Sequence, residues 1–248
     1  MAELVDAQDL KSCGWRHPCR FDSGHQHTYL LTNGTSIGVV FILSMNETFN
    51  KSESSYLILA SSSPRRKELL TKAGFTFTVF IPKGEELNII GKTFSEDLLN
   101  DCVKRKAENA YNELILEYNK INTNNKILDK TIISCDTIVV NDNIIIGKPK
   151  DKIDAINTLK SLSNKKHFVA SAVCVYKDDN YYTEQEKTFI TFKDLSNKQI
   201  EEYVENYKPF DKAGSYGIQD ENFDFVKEID GNIDNVIGLP MTTLKKLL

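Results

Sequence analysis

A chain of 248 residues that is 40% hydrophobic can bury a substantial core, as one large domain or two small ones. The formal net charge of -4, from 31 Lys and Arg against 35 Asp and Glu, excludes a general nucleic-acid coat, which needs a basic face along its partner. Five scattered cysteines (Cys13, Cys19, Cys102, Cys135 and Cys174) form no disulfide framework, so the sequence predicts a reducing compartment.

Residues 1 to about 50 differ from the rest of the chain, with three of the four histidines, the only tryptophan (Trp15) and no clear periodicity. Cys13, His17, Cys19, His25 and His27 are zinc-ligand types, but their spacings lack the paired knuckle of a zinc finger. The opening Met1 to Gly14 resembles a transfer-RNA gene translated as if it were coding, and Met45 is the expected native start. Residues 1–44 are therefore expected to be a non-native or disordered extension, with the working domain over 45–248. Ile37 to Leu43 is too short to cross a bilayer, which takes about 20 residues, and Glu3, Asp6 and Asp9 are the wrong charges for a secretory signal. A cytoplasmic protein without a membrane partner is expected.

Tyr56 to Ala60 reads as a short strand ended by a Ser/Pro loop. Pro64 then opens a helix through Arg66, Leu69, Leu70 and Ala73 to a glycine stop at Gly74. Phe75 to Ile81 alternates as a strand, and Phe94 to Tyr118 has the period of a long amphipathic helix. Thr131 to Val140 reads as a buried strand interrupted by one charge, Asp136, with a turn at Asn141 to Asn143 and a return strand at Ile144 to Ile146. A helix over Asp151 to Leu162, strands at 168–176 and 186–193 and a helix at 196–206 come next. Phe223 to Val226 and Val236 to Gly238 are the last short segments, ahead of a final helix from Met241. Alternating strands and helices with some hairpins predict a mixed α/β sheet.

Four segments carry chemistry. Ser61-Ser62-Ser63-Pro64-Arg65-Arg66 joins a strand end to a helix N-terminus, where free amides and the helix dipole favour an anion and Arg adds a bidentate grip. An ordinary capped helix with solvated arginines accounts for that segment equally well. Asp136 lies among Ile132, Ile133 and Ile138 to Val140, where a carboxylate is tolerated only if paired or metal-bound, and it is placed to orient or deprotonate a water. Gly147-Lys148-Pro149 returns a cation across the hairpin, although it is no Walker loop. Asp211 to Gln219 sets small residues between charged ones, which suits close approach to a ligand, and Gln219 can read a base edge.

Taken together and in order, these segments resemble the Maf family of nucleoside triphosphate pyrophosphatases. The family pattern L-A-S-x-S-P-R-R is met by residues 59–66, A-D-T by Cys135-Asp136-Thr137 and G-K-P by residues 147–149. D-K-A-G-x-Y-G-I-Q is met by residues 211–219 and N-V-x-G-L-P by Asn235 to Pro240. The likeness covers 56–248. It implies a curved mixed sheet flanked by helices around a nucleotide cleft, as in the Maf and inosine triphosphatase folds. It further implies hydrolysis between the α- and β-phosphates of a nucleoside triphosphate with Mg2+ or Mn2+.

On the same resemblance Asp136 is the catalytic carboxylate, Glu86 a second acidic residue sharing the metal or water, and Lys148 a catalytic cation. Ser61, Arg65, Arg66 and Lys106 bind phosphates. Arg65, Thr137 and Gln219 match the three specificity positions of the branch that acts on dTTP and UTP, whereas the 7-methyl-GTP branch carries Trp, Gln and Glu there. Two departures stand out: Cys135 replaces the usual Ala, and Asp220 replaces a common Gly, putting a negative charge near the expected base pocket. Homodimers are common in the family, and stable nucleic-acid binding is not expected. Two rival readings are a non-catalytic nucleotide-binding regulator of septum formation and a pyrophosphatase for inosine or xanthosine triphosphate.

Overall fold

The computed structural model describes residues 19–21, 28–30, 56–121, 130–221 and 224–248. Two short strands, β1 (Cys19–Phe21) and β2 (Thr28–Leu30), pair antiparallel within a unit of their own, 1–54. The expected N-terminal extension and the five zinc-type side chains otherwise lie outside the described residues.

The second unit, 55–248, is a seven-stranded mixed sheet with helices on both faces, as the alternating pattern predicts. Strand β3 (Tyr56–Ala60) runs parallel to β4 (Phe77–Phe80) on one side and to β5 (Lys130–Asn141) on the other. Antiparallel pairing then links β5 to β7 (Lys166–Lys177), β7 to β8 (Asn180–Phe192) and β8 to β9 (Val226–Asp230). The strand β8 begins six residues before the expected 186. Residues 180–185 alternate between exposed and half-buried positions with no buried side, so only their pairing with β7 declares them a strand. Val236 and Ile237 of the last short segment lie in a helix.

One gap in the pairing positions the functional groups. The free edge of β5 is taken at its start by β3, up to Leu59 opposite Ile133, and at its end by the antiparallel β6 (Ile144–Ile146), with Ile146 opposite Val139. Between them residues 134–138 have no strand neighbour on that side. The chain leaving β3 and the chain leaving β6 both run into this notch, carrying Ser61 and Lys148 respectively. The β5–β6 turn uses Asp142 and Asn143 at φ 49° and 64°, a left-handed pair that matches the twist of a tight hairpin.

Side chains alternate across β5. Ile138 and Val140 face the long helix α2 (Glu96–Ile121), packing on its Leu99, Val103 and Ala107. On the opposite face Ile133 and Cys135 join a core with Leu70 of α1 (Pro64–Lys72) and Leu244 of α6 (Met241–Leu247). Val139 joins a third core with Leu159 of α3 (Lys152–Leu162) and Ile200 of α4 (Asn197–Tyr207). Thr137 sits between those two cores, beside the short helix α5 (Ile233–Ile237). No described helix is long and apolar enough to cross a membrane.

Candidate active site

The notch opens into a cavity of about 390 Å³, within the range of small-molecule sites. Asp136 and Thr137 are adjacent on β5 and so point to opposite faces of the sheet, yet both line this cavity because the edge between them is unpaired. Ser61, Arg65, Arg66, Glu86, Lys106, Lys148 and Gln219 line it as well, so every sequence-predicted site residue meets in one place.

Asp136 has partners at the notch. Its side chain is 30% exposed, so the carboxylate emerges into the cleft rather than being buried among the isoleucines of its strand. It accepts from the Thr137 backbone N–H at 3.1 Å and faces the Lys106 ammonium at 3.9 Å. Lys106 projects from α2 with only 11% of its side chain exposed and reaches Glu86 at 3.0 Å. One ammonium thus stands between two carboxylates.

The Ser61 to Arg66 loop is assembled on the other face. Pro64 occupies the first turn of α1, Ser63 caps it without a side-chain bond, and the turn holds no acidic residue. Two arginines there oppose the helix dipole, which favours negative charge at that end. Their partners explain how they are held. Arg66 is 9% exposed; its Nε donates to the Gly238 carbonyl at 2.9 Å, and its two terminal nitrogens donate to Ser61 Oγ at 3.1 Å and Thr137 Oγ1 at 3.3 Å. The Gly238 carbonyl also accepts from Thr137 Oγ1 at 3.2 Å and from the Cys135 thiol at 3.3 Å. Arg66 and Ser61 therefore shape the loop from within. Arg65, nearer the surface, donates to Asp211 at 2.8 Å. Cys135 is buried, and burial holds its thiol neutral, above the ordinary cysteine range.

The Gly-rich segment closes the remaining wall. Gly214 has φ 70°, and a Cβ there would lie 2.7 Å from Val139, so the backbone approaches β5 where only glycine fits. Its N–H donates to the Gly147 carbonyl at 3.0 Å, tying this segment to the one that carries Lys148. Tyr216 is anchored by His167 Nε2 at 2.9 Å, and burial lowers that imidazole to about 4, so it stays neutral. Gln219 is exposed at the cavity rim.

Asp220 has a partner outside the cavity lining. Its carboxylate accepts from Tyr203 OH at 2.5 Å and is not among the cavity-lining residues, so the extra charge is turned toward α4. Asp211 falls within a recognisable motif, but the sequence assigns it no role of its own, because the Arg65 partner lies 146 positions away.

No group of three or more His, Cys, Asp or Glu side chains with metal-holding geometry occurs among the described residues. Asp136 and Glu86, facing one lysine beside the Ser61 to Arg66 loop, are nevertheless a suitable donor set for Mg2+ or Mn2+. Mg2+ commonly takes one or two carboxylates and completes its shell with water and substrate phosphates.

A mixed α/β sheet whose edge notch gathers carboxylates, lysines and an Arg-bearing helix N-terminus defines a phosphate-handling cleft. The chain belongs to the Maf family: residues 56–248 match the family described as Maf-like protein. It is 41% identical over 194 residues to a dTTP/UTP pyrophosphatase of Clostridium beijerinckii, covering 77% of this chain and 97% of that one. A dTTP/UTP pyrophosphatase of Aquifex aeolicus is 39% identical over 192 residues, with 77% and 93% covered. One from Bdellovibrio bacteriovorus is 38% identical over 195 residues, with 77% and 96% covered.

Proposed function

We propose that this protein is a nucleoside triphosphate pyrophosphatase that hydrolyses dTTP and UTP to the monophosphate and pyrophosphate. The observation that carries the reading is the convergence of Asp136, Glu86, Lys106, Lys148 and the Arg65–Arg66 helix turn on one cavity at the β5 notch. The activity for which the relatives are named supports the same substrates and favours neither a non-catalytic regulator nor an enzyme for deaminated purine nucleotides.

In this reading the triphosphate lies along the N-terminus of α1, with Arg65, Arg66 and Lys148 offsetting its charge and the base toward Thr137 and Gln219. Water attacks the α-phosphorus, the α–β anhydride bond breaks, and pyrophosphate leaves. Asp136, its orientation fixed by the Thr137 amide, aligns that water and accepts its proton. Lys106 keeps the two carboxylates from repelling each other before substrate arrives. A divalent cation held by Asp136 and Glu86 with phosphate oxygens would supply Lewis-acid charge neutralisation. The cations of the chain, already in place, need little reorganisation as charge builds on the leaving group.

A role in clearing nucleotide pools, in the cytoplasm, is consistent with this activity and would be shared by a homodimer, the state common in the family. The test is a panel of canonical and modified triphosphates with Mg2+ or Mn2+, read by pyrophosphate release. Turnover led by dTTP and UTP is expected; a preference for inosine or xanthosine triphosphate, or none at all, overturns the reading.

A further inference from the structure

The segment 82–86 that carries Glu86 has neither helical nor strand structure, so its backbone polar groups need partners from elsewhere. Helix α2 supplies them. Its buried face, with Val103, Ala107 and Ala110, lies on the sheet. A separate stripe at Lys106, Asn109 and Glu113, spaced three and four residues apart and so on one side of the helix, meets the loop.

The contacts run in reverse order along the two segments. The Glu113 carboxylate accepts the Lys83 N–H at 2.8 and 3.0 Å and the Gly84 N–H at 2.8 Å. Asn109 Nδ2 donates to the Glu85 carbonyl at 3.3 Å, and Lys106 holds Glu86 at 3.0 Å. The fit at Gly84 is close: a Cβ there would lie 2.4 Å from Asn109 Nδ2, and moving that amide aside would break its bond to Glu85.

We propose that Glu113 and Asn109 are positioning residues for hydrolysis, a clasp that sets Glu86 opposite Asp136 and thereby forms the acidic side of the cavity. This role rests on the pyrophosphatase reading of the same site. Neither residue lines the cavity, and each acts only through the backbone of 83–85. Two successive amides held by a single carboxylate fix the loop's direction, and the Asn109 bond fixes the peptide before Glu86. Loss of this clasp lets Glu86 wander while the phosphate loop on the other face of the sheet stays as it is.

The test uses the full chain and the variants Glu113→Ala, Glu113→Gln and Asn109→Ala, with three readouts. These are amide exchange at Lys83 and Gly84, steady-state kinetics on UTP against Mg2+ concentration, and binding of Mn2+ alone by paramagnetic broadening of nearby resonances. For Glu113→Ala, exchange at 83 and 84 is expected to accelerate roughly tenfold or more. Its kcat is expected to fall roughly tenfold, because small misplacements near the reacting atoms are costly. The Mg2+ needed for half-maximal rate should rise, with KM for UTP within about twofold. Glu113→Gln keeps one acceptor oxygen and should restore part of each change. Faster exchange with unchanged kcat and unchanged metal dependence would show a clasp that is only structural and overturn the proposal, as would unchanged exchange. If the wild type cleaves no triphosphate, the activity reading alone fails. Mn2+ binding then decides the positioning: weaker binding in Glu113→Ala supports it, and binding equal to the wild type or absent from both overturns it.

Discussion

Arg65 donates to Asp211 at 2.8 Å, joining the first turn of α1 to the segment that carries Gln219. Two of the three proposed specificity positions thus sit on elements linked by one ion pair. Burial alone would raise Asp211, but hydrogen bonds from Arg65 and Lys212 outweigh it and leave its carboxyl below the ordinary range. Its contribution to stability is therefore present above the unfolded carboxylate value and lost only as pH falls through the lower folded one. With Asp211 59% exposed, that contribution stays under about 1 kcal/mol. Asp211→Asn should accordingly change the melting temperature little while raising KM for UTP and dTTP several-fold, with kcat within about twofold. An unchanged KM would mean that Arg65 is placed by other contacts.

Asp136→Asn tests the assigned base. The amide keeps the shape of the side chain and an acceptor for the Thr137 N–H, but it cannot take a proton. A loss of about 100-fold or more in kcat is expected. Affinity for a non-hydrolysable UTP analogue, measured by calorimetry without divalent metal, should hold or improve, since a negative charge beside the phosphates is gone. Wild-type turnover in this variant would remove Asp136 from the mechanism.

The Asp220 carboxylate is held by Tyr203, whose hydroxyl also accepts the Gly217 N–H at 3.0 Å. Burial, reinforced by Asp220, pushes the Tyr203 phenol above its ordinary value, so it remains a donor. Tyr203→Phe takes away that acceptor and frees the charge. A stability loss of about 1 to 3 kcal/mol is expected, together with a higher KM for UTP. Adding Asp220→Gly should recover the KM and leave the stability loss. Recovery of neither, measured by denaturant melts and kinetics side by side, would place the carboxylate outside the reach of the nucleotide.

His167 carries a pH signature. Its folded value of about 4 lies below the ordinary imidazole value, so the unfolded chain binds a proton first as pH falls. Stability is fully present above the unfolded value, about 6.5, and declines as pH falls toward 4, at up to about 1.4 kcal/mol per pH unit. Urea melts from pH 7 to 4.5 should show this slope in the wild type. His167→Gln, which retains a partner for Tyr216, should flatten it; an equal slope in both assigns the acid sensitivity to other groups.

Much of the site was legible in the chain itself because each motif is local. Pro64 with Gly74 marks the ends of a helix, Asn141 to Asn143 marks a hairpin, and a strand that reads Ile-Ile-Ser-Cys-Asp-Thr-Ile-Val-Val announces one exceptional carboxylate. Period and turn chemistry are properties of neighbouring residues, so they survive without knowledge of the fold. What the sequence alone determined was the identity of the groups and the elements that carry them. Tertiary structure decided their meeting place and their states: the notch in β5 that exposes Asp136 and Thr137 together, the pairing of Arg65 with Asp211, the turning of Asp220 toward Tyr203, and the α2 stripe that grips 83–86. Each of these depends on strand register or on partners tens to hundreds of residues apart. A single sequence carries no local signal for such distances, because burial and pairing arise only when the sheet has closed.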